Sequence, residues 1–153
     1  HGSYGDNQSD FYPKLAGLPA KYIEDQLLAY RQGRRGDISM QSMALALSTE
    51  EIRQVAEFFA SREQSLDNVF LADAAQTAEG KNKAVTCVAC HGPGKRVDTN
   101  TPPLARQGYL YLVAQLIAYR DGTRSDENGV MPALVANLSN TDIEAIAHYY
   151  SAQ

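Results

Sequence analysis

Tyr22-Ile23-Glu24-Asp25-Gln26-Leu27-Leu28-Ala29-Tyr30-Arg31-Gln32-Gly33 returns as Tyr111-Leu112-Val113-Ala114-Gln115-Leu116-Ile117-Ala118-Tyr119-Arg120-Asp121-Gly122, in one register through twelve positions. Ile23, Leu27 and Tyr30, like Leu112, Leu116 and Tyr119, fall at i, i+4 and i+7. That spacing is the apolar stripe of a helix, and Gly33 or Gly122 ends it. The likeness continues on both sides: Pro13-Lys14-Leu15-Ala16 matches Pro102-Pro103-Leu104-Ala105, and Leu47-Ser48-Thr49-Glu50-Glu51-Ile52 matches Leu138-Ser139-Asn140-Thr141-Asp142-Ile143. Both copies then run to an aromatic pair, Phe58-Phe59 and Tyr149-Tyr150. Self-similarity on this scale means two copies of one domain.

A second helix in each copy starts at Ser48 or Ser139, with Glu51 or Asp142 three residues on as a capping box. Its inward face is expected to be Ile52, Val55, Ala56 and Phe59, matched by Ile143, Ile146, Ala147 and Tyr150. Residues 63 to 84 read as a linker followed by the opening helix of the second copy, around Asn68 to Glu79. With no strand pattern anywhere, the fold class is all-α, with a first domain over 1–62, a linker over 63–72 and a second domain over 73–153. Two helices per unit bury little surface unaided, so a cofactor at the centre would act as a staple.

The chain has 153 residues, 44% of them apolar, and a formal charge of -4. The acidic balance argues against nucleic acid as a partner, and no apolar run approaches a membrane span. The residues contain no signal peptide, as expected of a mature exported protein.

Cys87-Val88-Ala89-Cys90-His91 has the C-x-x-C-H spacing of c-type haem attachment. Two thiols three positions apart can each add to a haem vinyl group, and the following imidazole can bind the iron. Three readings compete: a thioredoxin-like redox pair, a zinc half-site and two unrelated cysteines. The flanks Gly80-Lys81-Asn82-Lys83 and Gly92-Pro93-Gly94-Lys95 hold no Val/Ile-rich strand for a redox βαβ unit. Tetrahedral zinc needs four ligands, and Cys87 and Cys90 are the only cysteines. Covalent haem implies maturation outside the cytoplasm, hence a periplasmic, bacterial setting; with both thiols consumed as thioethers, no disulfide is expected.

A soft thioether opposite the histidine stabilises ferrous iron. Met131 is the candidate. It precedes Pro132, which disfavours helix at Met131 and points to an extended ligand loop. A lone methionine more often packs a core, but aligning Leu47 with Leu138 puts Met40 opposite Met131, so both copies hold a methionine at one point. Met43 competes locally in the first copy, with Leu134 as its counterpart. His148 reads as a solvated or packing residue on the polar side of the last helix.

Taken together, these residues resemble the tandem class I c-type cytochromes, specifically two-haem electron carriers of the cytochrome c4 type. The resemblance spans nearly the whole chain. It implies an all-α fold with an exposed haem edge that exchanges electrons with docked partners, and it implies that Pro102 offers its carbonyl to the Nδ1-H of His91, orienting the ring and raising its donor strength.

The sequence departs from that pattern at its start. His1-Gly2 aligns with His91-Gly92, since Pro13 lies 12 residues beyond His1 and Pro103 lies 12 beyond His91, yet no cysteines precede it. His1 and Met40 thus mark a vestigial or incomplete first site. Three explanations stay open: the natural chain extends upstream with its own C-x-x-C, processing has removed it, or the first domain naturally lacks haem. A tag remnant fits the spacing to Pro13 poorly, and N-terminal copper chelation wants a second histidine. The cofactor expectation is one covalent haem c, with a second only if the natural chain extends upstream of His1.

The first functional expectation is a one-electron carrier with His91 and Met131 as axial ligands and no open coordination site. Its redox partners would be an upstream dehydrogenase or quinol-oxidising complex and a downstream terminal oxidase or reductase. The rival is a haem enzyme of peroxidase type, or a cytochrome subunit of a larger oxidoreductase complex. A third reading makes the first domain a docking module for the second.

Overall fold

The computed structural model describes residues 1–65, 70–92 and 100–153. Among these residues the regular elements are helices: α1 (Ala20–Arg31), α2 (Ile38–Ala46), α3 (Thr49–Ala60), α4 (Ala74–Lys83), α5 (Val85–His91), α6 (Tyr109–Arg120), α7 (Val130–Val135) and α8 (Asn140–Ser151). The fold is all-α, with two cores. One gathers Leu18, Ile23, Leu27, Tyr30, Ile52 and Ala56 from α1, α3 and their surroundings; the other gathers Leu112, Leu116, Tyr119, Val135, Ile143 and Ile146 from α6, α7 and α8. No described helix is long and apolar enough to cross a membrane.

The repeated segments form the same structures for the same reasons. Gly33 and Gly122 take φ +70° and +75°, the left-handed turn that a side chain resists, and so reverse the chain after α1 and α6. The arginine just before each of these turns then fastens the next connection. Arg31 donates through Nε to the Ala44 carbonyl (3.1 Å) and through its terminal nitrogen to that of Leu47; Arg120 donates to the Leu138 carbonyl at 3.2 Å. Both capping boxes close in both directions, Ser48 with Glu51 and Ser139 with Asp142, each cap contributing about 1 kcal/mol. Lys83 pairs with Asp142 at 2.7 Å, and this contact together with the Ser139 hydrogen bonds holds the Asp142 carboxyl down at about 2.

Three expectations need correction. The opening helix of the second half starts at Ala74, capped by the Asp73 carboxylate on Gln76 N, and runs past Glu79 to Lys83; Asn68 lies outside the described residues. Met131 is not in an extended loop but is the second residue of α7. Pro132 is tolerated there because the first turn of a helix needs no intrahelical N–H, and the Asp126 carboxylate accepts from Val130 N and Met131 N, both at 3.1 Å. Met40 sits likewise in the first turn of α2, its N–H donated to Asp37 at 2.8 Å. His148, finally, is a packing residue and not a solvated one on a polar side: it is buried, with 7% exposure. Its Nε2 accepts from Asp73 N (3.3 Å), its Nδ1 lies 3.3 Å from Thr77 Oγ1, and Phe70 packs edge-on at 4.8 Å. The helix has two packed sides, against α6 and against α4, so a position outside the main stripe is still covered.

The α4–α8 crossing is the tightest of these contacts. A Cβ at Gly80 would stand 1.9 Å from the Ala145 carbonyl oxygen, so only glycine lets the backbones approach this closely. Gly80→Ala is expected to destabilise the second half by about 1–3 kcal/mol through forced separation of the helices, whereas Lys81→Ala, one residue away on an exposed position, should be near neutral. Denaturant unfolding of the two variants checks this; equal midpoints would contradict the close-packing account.

Candidate haem site

Four side chains singled out in the sequence, Cys87, Cys90, His91 and Met131, line one cavity of about 370 Å³. A volume of that size is in the range of ligand and cofactor sites. Two elements deliver them. Helix α5 carries the thiols and the imidazole within two turns, and the first turn of α7 carries the thioether. The walls between are apolar: Leu104, Leu112, Leu116, Val135, Leu138 and Ile146 all contribute. Burial pushes the Cys87 thiol up from its ordinary value.

The imidazole is oriented. His91 Nδ1 lies 2.8 Å from the Pro102 carbonyl oxygen; a carbonyl only accepts, so Nδ1 carries the proton and Nε2 presents the lone pair. Burial lowers the His91 pKa, opposed by the Pro102 hydrogen bond, so the ring is held neutral, the form that binds a metal. Asp126, also on the cavity wall, fixes the backbone of Met131 through the two hydrogen bonds given above.

Tyr150 and Arg124 also belong to the wall; their Oη and Nε are buried away from the open space and lack a hydrogen-bond partner among the described residues. A largely apolar slot bearing two thiols, a lone-pair imidazole nitrogen and a thioether is chemically matched to a porphyrin with iron at its centre. The residues present therefore fit haem. Among the described residues no cluster of three or more His, Cys, Asp or Glu side chains offers a competing metal site.

The first half repeats part of this arrangement. His1 Nδ1 lies 2.9 Å from the Pro13 carbonyl oxygen, as His91 does from that of Pro102. The matching partner of Pro13 is thus Pro102, 11 residues beyond His91, and the pairing with Pro103 by equal spacing is off by one; the first half has one more residue in this connection. Met40 packs against the Leu18–Ala56 core, while Met43 is exposed.

Several wall residues escaped the sequence reading: Arg124, Asp126, Tyr22, Tyr111, Gln26 and Gln115. A signal for four of them was available. Tyr22 and Tyr111, like Gln26 and Gln115, recur within the twelve matched positions, and polar identities kept off the apolar stripe mark a second shared surface.

Comparison with known proteins agrees with this chemistry. Residues 73–149 match the family model described as cytochrome C oxidase, cbb3-type, subunit III. A thiosulfate dehydrogenase electron acceptor of Stutzerimonas stutzeri is 39% identical over 152 residues, covering 92% of this chain and 70% of its own. Cytochrome c4 of Pseudomonas aeruginosa is 32% identical over 97% of this chain and 79% of its own. The crystal structure of reduced recombinant cytochrome c4 from Pseudomonas stutzeri superposes with a TM-score of 0.86 at 27% identity, over 99% of this chain and 90% of that one. Two cytochrome-like halves in tandem, a C-x-x-C-H helix at the wall of a largely apolar cavity and likeness to these proteins along nearly the whole of this chain place it in the cytochrome c4-like family of tandem class I c-type cytochromes, electron carriers that bind haem c covalently.

Proposed function

We propose that Cys87 and Cys90 would hold haem c as thioethers, that His91 Nε2 and the Met131 sulfur would ligate its iron, and that Pro102 is the acceptor that orients His91. The observation that carries this reading is the convergence of these four ligating side chains on one cavity, with His91 Nδ1 already committed to a carbonyl. Bound haem supplies a one-electron ferric/ferrous couple. The chain's own contribution would be to offer the iron one nitrogen and one sulfur ligand, to surround it with a largely apolar wall, and to hold Met131 through Asp126 so that neither ligand need move on electron transfer. That leaves no position for a substrate, which is why a non-enzymatic carrier is the reading and a peroxidase is the disfavoured one. We divide the chain into domains over 1–62 and 73–153 joined by 63–72. A second haem, on His1 and Met40, is proposed only for a chain that carries a cysteine pair upstream of His1.

The setting follows from the chemistry. Covalent haem attachment to thiols belongs outside the cytoplasm, so the periplasm is the proposed location. Redox proteins are its partners: the name of the Stutzerimonas stutzeri relative supports a thiosulfate dehydrogenase as donor, and a carrier of this kind would pass the electron on to a terminal oxidase or reductase.

Intact mass spectrometry of these 153 residues is expected to show one covalent haem; none, or two, contradicts the site assignment. Met131→Ala should abolish the sulfur-to-iron charge-transfer band, lower the potential, and open the iron to carbon monoxide; persistence of the band would exclude Met131 as ligand. Mixed with a thiosulfate dehydrogenase and thiosulfate, the ferric protein should be reduced within the enzyme's turnover. A protein that dithionite reduces but this mixture does not has a different donor.

A further inference from the structure

The two halves meet along a polar seam. Arg35 and Arg124 face each other there in an isolated antiparallel bridge, and their hydrogen bonds are crossed. Arg35 donates to Tyr111 Oη (2.9 Å) and Gln115 Oε1 (2.8 Å) of the second half; Arg124 donates to Tyr22 Oη (3.0 Å) and Gln26 Oε1 (2.8 Å) of the first. Each half also fastens the segment of the other that carries a histidine-orienting carbonyl, and the two fastenings differ.

In the first half the fastening is on the backbone. The peptide unit whose Pro13 carbonyl faces His1 Nδ1 gives its N–H, that of Lys14, to Gln107 Oε1 at 2.7 Å. The second half cannot copy this. Its matching peptide joins Pro102 to Pro103, and proline has no N–H to donate. In keeping with that, the first-half residue that matches Gln107 is Leu18, buried and apolar.

The segment before Pro102 is held through a side chain instead. Asn100 Nδ2 donates to Asp25 Oδ2 of α1 at 2.8 Å, two residues before the carbonyl that lies 2.8 Å from His91 Nδ1. Asp25 and Asn100 both stand on the wall of the haem cavity. The Asp25 side chain keeps 13% exposure against 56% for Lys21, which pairs with its other oxygen. Here the repeat departs from itself. Ala114 stands where the second copy would have Asp25, and Phe11 where the first would have Asn100, counting from the matched prolines; both are exposed.

We propose that Asp25 is a positioning residue for the haem site of the second half: through Asn100 it fixes the Pro102 carbonyl, and with it the hydrogen bond from His91. The inference rests on the haem reading above and deepens it, since a residue of the first half tunes the imidazole of the second. A carbonyl held in place raises the donor strength of the ring, which favours ferric iron; a released one makes reduction easier. Loss of the Asp25 charge acts with the same sign, so the two effects are separated by keeping the acceptor while removing the charge.

The test uses the holoprotein with Asp25→Ala, Asp25→Asn and Lys21→Ala. Asparagine retains an acceptor for Asn100 and loses only the charge. Redox titration reads the potential, and NMR of the diamagnetic ferrous protein reads the His91 Nδ1 proton. Asp25→Ala is expected to favour reduction about threefold over Asp25→Asn, the effect of one weakened hydrogen bond, and to shift the Nδ1 proton upfield. Asp25→Asn and Lys21→Ala should leave that proton at its wild-type position. If Asp25→Ala does not accumulate, Asn100→Ala breaks the same bond from its other end and is expected to give the same upfield shift. Equal potentials in the Ala and Asn variants, or an unmoved Nδ1 proton once the bond is broken, overturn the positioning role when the His–Met spectrum is intact, and leave the haem reading standing. Wild-type protein without covalent haem overturns that reading and this inference with it.

Discussion

The hydrogen bond from His91 to the Pro102 carbonyl is the constraint around which the second half is arranged. It spans 11 residues and joins the end of α5 to the segment that leads into α6, so one donor–acceptor pair sets both a ring orientation and the separation of two cavity walls. A neutral imidazole with Nδ1 committed has one lone pair left to offer, and its direction is fixed by the bond. Without it the ring would rotate freely, at an entropic cost to any ligand it later held. Opposite it, Asp126 performs the same service for Met131 by accepting from the first N–H groups of α7. Both groups proposed to face the iron are therefore held by partners that do not themselves reach it.

The two halves share a plan but not a packing. Helix α8 is gripped on two sides, and Ile143, Ile146, Ala147 and Tyr150 disappear along with His148 and Ser151. In α3 only Ile52 and Ala56 are buried; Glu57, at the position of His148, is exposed and pairs with Arg53 at 2.5 Å. Surface pairs of that kind contribute little. The first half instead gains from its neighbour. Gln107 brackets the Lys14 backbone, accepting from its N–H at 2.7 Å and donating to its carbonyl at 3.0 Å, and Tyr111 N donates to the Asp10 carbonyl at 2.8 Å. Together with the crossed arginines, these contacts make the seam polar and directional rather than oily, which suits two units that must keep one orientation.

Much of this was legible in the sequence because repetition doubles each signal. The stripes of α1 and α6, the glycines that end them and the serines that start α3 and α8 are local features, each with a local physical cause. What was not legible depended on tertiary context. Proline after Met131 argues against helix on average, but not in a first turn whose donors an aspartate has taken. His148 was placed on the polar side of its helix, solvated or packing, because a single stripe presumes a single packing partner; the packing alternative is the one that holds. The arginines show both sides of this: the repeat carries Arg35 onto Arg124, two residues beyond Gly33 and Gly122, but only the fold brings them together with the tyrosine and glutamine pairs that hold them.

The central claim is that this fold sets one imidazole and one thioether on a shared iron. X-ray absorption at the iron edge of the purified holoprotein tests it most directly. A single sulfur scatterer among nitrogen neighbours at the iron is predicted; a first shell of light atoms alone, or two sulfurs, would contradict it.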